Sequence, residues 1–302
     1  MTRIRLVLLT LLMAIAPPTV SRAEVRMGET VFSPVLGRAL SYDIYLPPGS
    51  GGGTRAYPVL YLLHGGGTGQ PSDWFTLAGI DQVLDRLIAQ GRIRPLIAVA
   101  PDGRRPDDGP ASYFLDDADG AARWQTAFLD DAMPGIEARH PVLPGRRAVM
   151  GISMGGFAAL VYRLEHPDLF AGAAALSPAL RTDEQLLALS PGDYADRFAT
   201  LLGPDLEGAA RLTDRWAAFR PAAMAASADA ARLARIPSIH VQTGSDDSFF
   251  EGTAQLHIAL RDAGIRHRFR VIEAGHDWPA WQSMLEDALL HVDAVLSRGY
   301  GE

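Results

Sequence analysis

The sequence predicts a single α/β domain: a mostly parallel central sheet with helices on both faces. Three observations carry that expectation. Short apolar runs of strand length alternate with stretches of helical spacing along most of the chain. Several runs stop abruptly at glycine- or aspartate-containing loops, as strands do at the carboxyl edge of such a sheet. One of them, Arg147 to Met150, leads directly into Gly151-Ile152-Ser153-Met154-Gly155, and Gly156-Phe157-Ala158-Ala159-Leu160 then opens a helix.

The elements follow in order. Met1 to Ala23 reads as an export signal, with Arg3 and Arg5 before an apolar run of eleven residues, Leu6 to Ala16, and small residues at Ser21 and Ala23. That run is shorter than the roughly 20 residues needed to span a bilayer, so cleavage after Ala23 and a periplasmic or extracellular product are expected. Residues 24–302 form the single domain. Leu40 to Leu46 alternates as a strand and is followed by the Gly49–Gly53 loop. Pro58 to Leu63 is an apolar strand ending at His64-Gly65-Gly66-Gly67, and Ile80 to Ala89 has helical spacing. Leu96 to Ala100 is a strand that stops at Pro101-Asp102-Gly103. Residues 121–139 read as a helix with a kink at Pro134. Further strands are expected at Arg147–Gly151, Ala171–Leu176, Ser238–Thr243 and Arg268–Ile272, and helices at 154–165, 250–263 and 280–297. The alanine-rich stretch of about 179–236 has no clear strand and is too long for a structureless loop, so it is expected to form helices over the carboxyl edge.

Composition narrows the function. The chain has 302 residues, no cysteine and a formal charge of −7. Disulfides, thiolate nucleophiles and cysteine-ligated metals are excluded. Removing the signal takes away three arginines and no acid, making the domain more acidic still. An acidic domain without basic clusters argues against nucleic acid and anionic lipid surfaces as partners. No second apolar stretch is long enough to insert stably in a membrane. No glycine loop has phosphate-cradling spacing with a lysine, and no histidine pair has zinc spacing, so neither a metal nor another cofactor is expected.

A serine flanked by glycines at a strand-to-helix turn is forced into a strained backbone that lifts its hydroxyl above the sheet edge. Such a hydroxyl is a weak nucleophile and needs a base, itself oriented by an acid. Of the eight histidines, His276 lies on the loop after the last strand, in Ala274-Gly275-His276-Asp277-Trp278-Pro279, and is the expected base. His64 lies in the glycine loop and is expected to shape it. The acid is expected in Gly244-Ser245-Asp246-Asp247, where either aspartate can reach the imidazole. Two N–H donors are needed for the oxyanion. Met154 follows the nucleophile and supplies one; Gly66, or alternatively Gly65, supplies the other. Trp278 and Trp281 near the base and Phe249 and Phe250 near the acid either line an aromatic pocket or pack beneath those loops.

These residues resemble the esterase D-like branch of the α/β-hydrolases, which includes feruloyl and acetyl-xylan esterases, S-formylglutathione hydrolases and mycolyltransferases. The resemblance runs from Leu36-Gly37-Arg38 through Tyr57–Gly65, Asp73-Trp74, Pro101-Asp102-Gly103, Gly151–Phe157 and His166–Phe170 to Gly275–Trp281. It implies the α/β-hydrolase fold, Asp247 as the acid and Gly66 as the second oxyanion donor. It also implies a serine esterase acting on a small-molecule ester, such as an aromatic one, or on a carbohydrate ester. An acyltransferase is the alternative, and a non-catalytic binding protein of the same fold a third reading. The sequence departs from the branch at Trp124-Gln125-Thr126-Ala127, where many relatives carry W-E-T-F, and 179–236 aligns with no single member.

Overall fold

The computed structural model describes residues 22–50, 55–105, 111–229 and 238–298, with the isolated positions 109 and 231. Residues 1–21, nearly all of the expected export signal, lie outside the described residues, as do residues 51–54 of the glycine loop.

Eight strands form one sheet: β1 (Glu24–Ser33), β2 (Arg38–Leu46), β3 (Tyr57–Leu63), β4 (Ile97–Pro101), β5 (Val142–Ile152), β6 (Gly172–Leu176), β7 (Ile239–Gly244) and β8 (His267–Ile272). Their spatial order is β1-β2-β4-β3-β5-β6-β7-β8. β2 runs antiparallel to both its neighbours, and all pairs from β4 to β8 are parallel. This is the mostly parallel α/β-hydrolase sheet the sequence predicts. The central strands are buried on both faces, and their sequences accordingly read as continuous apolar runs (Val59 to Leu63 in β3, Ala173 to Leu176 in β6).

The first strand is the one strand the sequence patterning misses. Only Val31 and Ser33 of β1 are buried, because it lies at the antiparallel edge of the sheet. A bulge between Arg26 and Glu29 interrupts its pairing, and the Gly28 N–H there donates to the Asp43 carboxylate at 2.7 Å. A strand with one half-buried face and a bulge lacks the sustained alternation that would reveal it.

Four longer helices cover the sheet: α1 (Ile80–Ala89), α2 (Met154–Glu165), α3 (Phe250–Asp262) and α4 (Trp278–Leu296). α1 and α4 pack into the apolar cluster on one face, α2 and α3 into that on the other. From Met154 to Leu164, α2 is buried on all sides, matching its almost unbroken apolar sequence. The helix expected over 121–139 begins at Trp124 and has three parts: Trp124–Ala127, a π-helical turn Phe128–Ala132, and Met133–Glu137. Pro134 lacks an N–H, and the wider turn just before it absorbs the break in the hydrogen-bond ladder.

Residues 179–227 fold into short helical segments: Asp183–Leu187, Pro191–Arg197, Ala199–Leu202, Gly208–Arg211, Asp214–Phe219 and Pro221–Ser227. Side chains cap several of them. Thr182 and Gln185 form a reciprocal capping box, and the hydroxyls of Ser190 and Thr213 accept from the amides of Asp193 and Trp216. Arg211 is buried and donates to the carbonyls of Leu186, Leu187, Leu189 and Leu206, tying three of the turns together. The group sits over the carboxyl edge. Phe219 meets Phe157 in the first turn of α2, and the carbonyls of Asp196 and Thr200 accept from Ala111 and Ala118 in the segment after β4.

Candidate active site

Ser153 joins β5 to α2 with φ 52° and ψ −114°, a conformation that costs an L-residue strain. The surrounding glycines explain how the chain makes this turn. A Cβ on Gly151 would sit 2.1 Å from the Gly155 carbonyl, and one on Gly155 would sit 2.1 Å from the Leu63 carbonyl oxygen. No side chain fits at either place. The Ser153 N–H donates to the Leu176 carbonyl at 3.0 Å, and its carbonyl accepts from Phe157 and Ala179. The backbone is held by the end of β6, the loop after it and the first turn of α2, while the hydroxyl remains available.

β7 and β8 end side by side. A Cβ on Gly244 would lie 2.1 Å from the Ala274 carbonyl oxygen, so glycine is what lets the two following loops touch. From those loops Asp247 and His276 meet. His276 Nδ1 lies 2.9 Å from Asp247 Oδ2, and His276 Nε2 lies 2.9 Å from Ser153 Oγ. A carboxylate only accepts, so Nδ1 carries the proton and Nε2 is left to accept from the serine hydroxyl.

Asp247 is almost fully buried, and its second oxygen accepts from the Phe249 N–H at 2.8 Å. Burial pushes its carboxyl pKa up, but the bonds from His276 and Phe249 outweigh that effect and hold it below the usual carboxylate range. Asp246 is exposed, and its backbone N–H bonds the Ala274 carbonyl. Of the two aspartates that the sequence left open, Asp247 is the one that reaches the imidazole. Asp277 caps α4 by accepting from the Ala280 N–H, which sets the direction of the chain immediately after His276.

The loop after β3 lies against the serine. A Cβ on Gly66 would be 3.5 Å from Met154 Cβ, and one on Gly65 would be 3.9 Å from Ser153 Cβ. The Gly66 carbonyl accepts from Gly69 in a tight turn, and among the described residues no backbone acceptor is bonded to the Gly66 or Met154 N–H. His64 is buried, donates from Nδ1 to the Gly65 carbonyl at 2.7 Å and accepts the Gly103 N–H at Nε2 at 3.0 Å. It therefore pins the glycine loop to the loop after β4.

The four aromatic residues divide. Phe249 and Trp281 each present their rings at 5.0 Å from the His276 ring in edge contacts, and Trp278 packs edge-on against Trp281 at 4.9 Å. Phe250 begins α3 and is not stacked on the imidazole. Both tryptophans also belong to the apolar packing under α4, the second of the two readings of these rings. Sequence reasoning missed Arg181, whose guanidinium lies 4.7 Å from the centre of the Phe249 ring. Nothing in the linear pattern distinguishes it from the other arginines of the chain. A cleft of about 390 Å³ lies apart from the serine, lined by Asp116, Gln125, Glu165, His166 and Arg215 among others. Gln125, at the departure from W-E-T-F, bonds Glu165 and His166 there. Among the described residues no cluster of three or more histidine, cysteine or acidic side chains is arranged to hold a metal, and no helix is long and apolar enough to cross a membrane.

Residues 33–292 match the Esterase family, described as "Putative esterase". The chain belongs to this family. An esterase of Mycobacterium tuberculosis is 31% identical over 250 residues, covering 78% of this chain and 52% of that protein. The chain thus spans about half the length of that curated relative. The acetyl esterase of Caldicellulosiruptor saccharolyticus is 26% identical over 246 residues, covering 76% of this chain and 81% of the relative. Among solved structures, a ferulic acid esterase superposes with a TM-score of 0.76 at 28% identity, covering 91% of this chain and 99% of its own. An S-formylglutathione hydrolase of Agrobacterium tumefaciens shares the fold at 18% identity, with a TM-score of 0.69 over 91% of this chain and 95% of that one.

Proposed function

We propose that this protein hydrolyses carboxylic esters through an acyl-enzyme on Ser153. The observation that carries the reading is His276, bridging Ser153 Oγ and Asp247 Oδ2 at 2.9 Å on each side. Nε2 takes the hydroxyl proton as Oγ attacks the ester carbonyl, and the resulting imidazolium is stabilised by the buried Asp247 carboxylate. Negative charge gathers on the carbonyl oxygen, where the N–H groups of Met154 and Gly66 receive it, a contribution of roughly 3–4 kcal/mol per donor in comparable sites. His276 then passes the proton to the leaving alcohol. It next accepts one from water, which attacks the acyl carbonyl and frees the acid.

An aromatic acyl group or a carbohydrate ester fits the rings around the base. The names of the relatives support that choice, one solved neighbour being a ferulic acid esterase. Ser153→Ala is expected to lower turnover of p-nitrophenyl acetate by about 10⁴-fold or more, with circular dichroism unchanged. Turnover at the wild-type rate would overturn the reading. Export is part of the same proposal, supported by the basic start and apolar run of the first 23 residues.

A further inference from the structure

The loop after β6 runs from Ser177 to Arg181 and is tied to the nucleophile, since the Ala179 N–H donates to the Ser153 carbonyl at 2.9 Å. Two residues further on, the Arg181 guanidinium is held between two rings. Its Cζ lies 4.7 Å from the centroid of Phe249 and 5.4 Å from that of Phe198. The Phe249 ring also meets the His276 ring, edge-on at 5.0 Å between centroids. One aromatic ring therefore touches both the cation and the imidazole.

The clamp is built rather than incidental. Arg181 Nη1 donates to the Tyr113 hydroxyl at 3.1 Å, and the Tyr113 ring is buried, stacked on Phe198 and set edge-on to Phe157. Tyr113 holds that position at φ 50°. The other enclosed arginines engaged in ion pairs have carboxylate partners: Arg105 with Asp117, Arg147 with Glu137, and Arg220 with Asp183. Among the described residues Arg181 has no carboxylate within ion-pair distance. The nearby acids are engaged elsewhere, Asp193 with Ser190 and Arg197, Asp183 with Trp216 and Arg220, Asp247 with His276, and Glu251 with Gln185. A guanidinium has five N–H donors, and Tyr113 takes one. None of the remaining Arg181 nitrogens is a buried donor without a partner, so these N–H groups stay accessible to solvent.

A cation shielded by two rings, with free donors and no ion-paired carboxylate among the described residues, is arranged to receive an anion by charge-assisted hydrogen bonds. We infer that Arg181 forms an anion subsite of the active site, selecting esters that carry a second, ionised carboxylate. This rests on the proposed ester hydrolysis and names its substrate class.

The test uses pairs of esters matched in length. On the acyl side, the p-nitrophenyl monoesters of succinic, glutaric and adipic acid are compared with p-nitrophenyl butyrate, valerate and hexanoate. On the alcohol side, 4-acetoxybenzoate is compared with its methyl ester. For at least one pair, wild-type kcat/KM is expected to favour the anionic member by about 10- to 100-fold relative to the same ratio in Arg181→Gln. Arg181→Lys should retain part of the preference, and 0.5 M NaCl should reduce it in the wild type, a readout independent of whether any variant folds. Anionic-to-neutral ratios that are the same in wild type and Arg181→Gln for every pair, or that do not respond to salt, overturn the subsite. Failure of both the anionic and the neutral esters to turn over at all would instead overturn the proposed hydrolysis.

Discussion

Two histidines outside the site make the fold sensitive to acid. His240 lies near the start of β7 and His291 on the inner face of α4, both buried, with ring centroids 5.4 Å apart. His240 Nε2 donates to the Gln242 side-chain oxygen at 3.2 Å, and its Nδ1 has no partner among the described residues. His291 Nε2 donates to the Ser238 carbonyl at 3.3 Å. Protonation would bury an unbonded N–H and set two cations side by side. Burial, reinforced for His291 by the charge of His240, pushes both pKa values down from 6.5 to about 4. Folded pKa values below the unfolded ones mean that the unfolded chain takes up protons that the folded chain refuses. Stability is therefore lost as pH falls from 6.5 towards 4. Were the two rings independent, the loss at pH 5 would be about 2 kcal/mol for each, tending to about 3.4 kcal/mol each at lower pH. Urea unfolding between pH 8 and 5 checks this. Replacing one ring, as in His291→Gln, should lower the slope of unfolding free energy against pH by up to about 1.4 kcal/mol per pH unit, and His240→Asn/His291→Gln by about twice that. Asp247, held below the usual carboxylate range, loses its contribution only at lower pH and does not blur the comparison. A double variant that keeps the wild-type slope would refute the reasoning.

Other outcomes follow from the same geometry. Asp247→Asn should lower kcat by about 10⁴-fold, because the amide can donate to His276 and reverse its tautomer. Asp246→Asn should change kcat less than about threefold, its side chain being exposed beside the site; equal losses in the two would remove Asp247 from the proposed triad. Gly155→Ala places a Cβ 2.1 Å from the Leu63 carbonyl oxygen and should cost about 3 kcal/mol or more in urea unfolding, whereas Gly65→Ala, with its nearest atom at 3.9 Å, should be tolerated. N-terminal sequencing of the protein secreted by a bacterial host should begin at Glu24; a product still starting at Met1 would remove the export proposal.

Much of the fold was legible because burial on both faces leaves a plain trace. β3, β4, β5 and β6 each contain an apolar run, and each run stops where the chain turns at the carboxyl edge. The all-round apolar character of α2 was likewise readable as a helix under cover. β1 was not, since an edge strand with a bulge and few buried side chains carries no sustained periodicity. In the stretch over the carboxyl edge, helical character was visible but its arrangement was not. That arrangement depends on Arg211 reaching carbonyls in several turns and on contacts such as Phe219 with Phe157.

The same division runs through the candidate site. Local sequence decided which residues stand on loops at strand ends, because glycine requirements and strand length act over a few neighbouring positions. It set Ser153 on a turn that only flanking glycines permit, and it placed His276 and the aspartate pair after their strands. Which aspartate meets the imidazole depended on how the β7 and β8 loops touch at Gly244. The cation beside Phe249 likewise came from segments far apart in the chain, Tyr113, Arg181, Phe198 and Phe249. Contacts between distant segments are chosen by packing the whole sheet and its cover, and no local pattern encodes which side chains that packing will bring within a few ångströms.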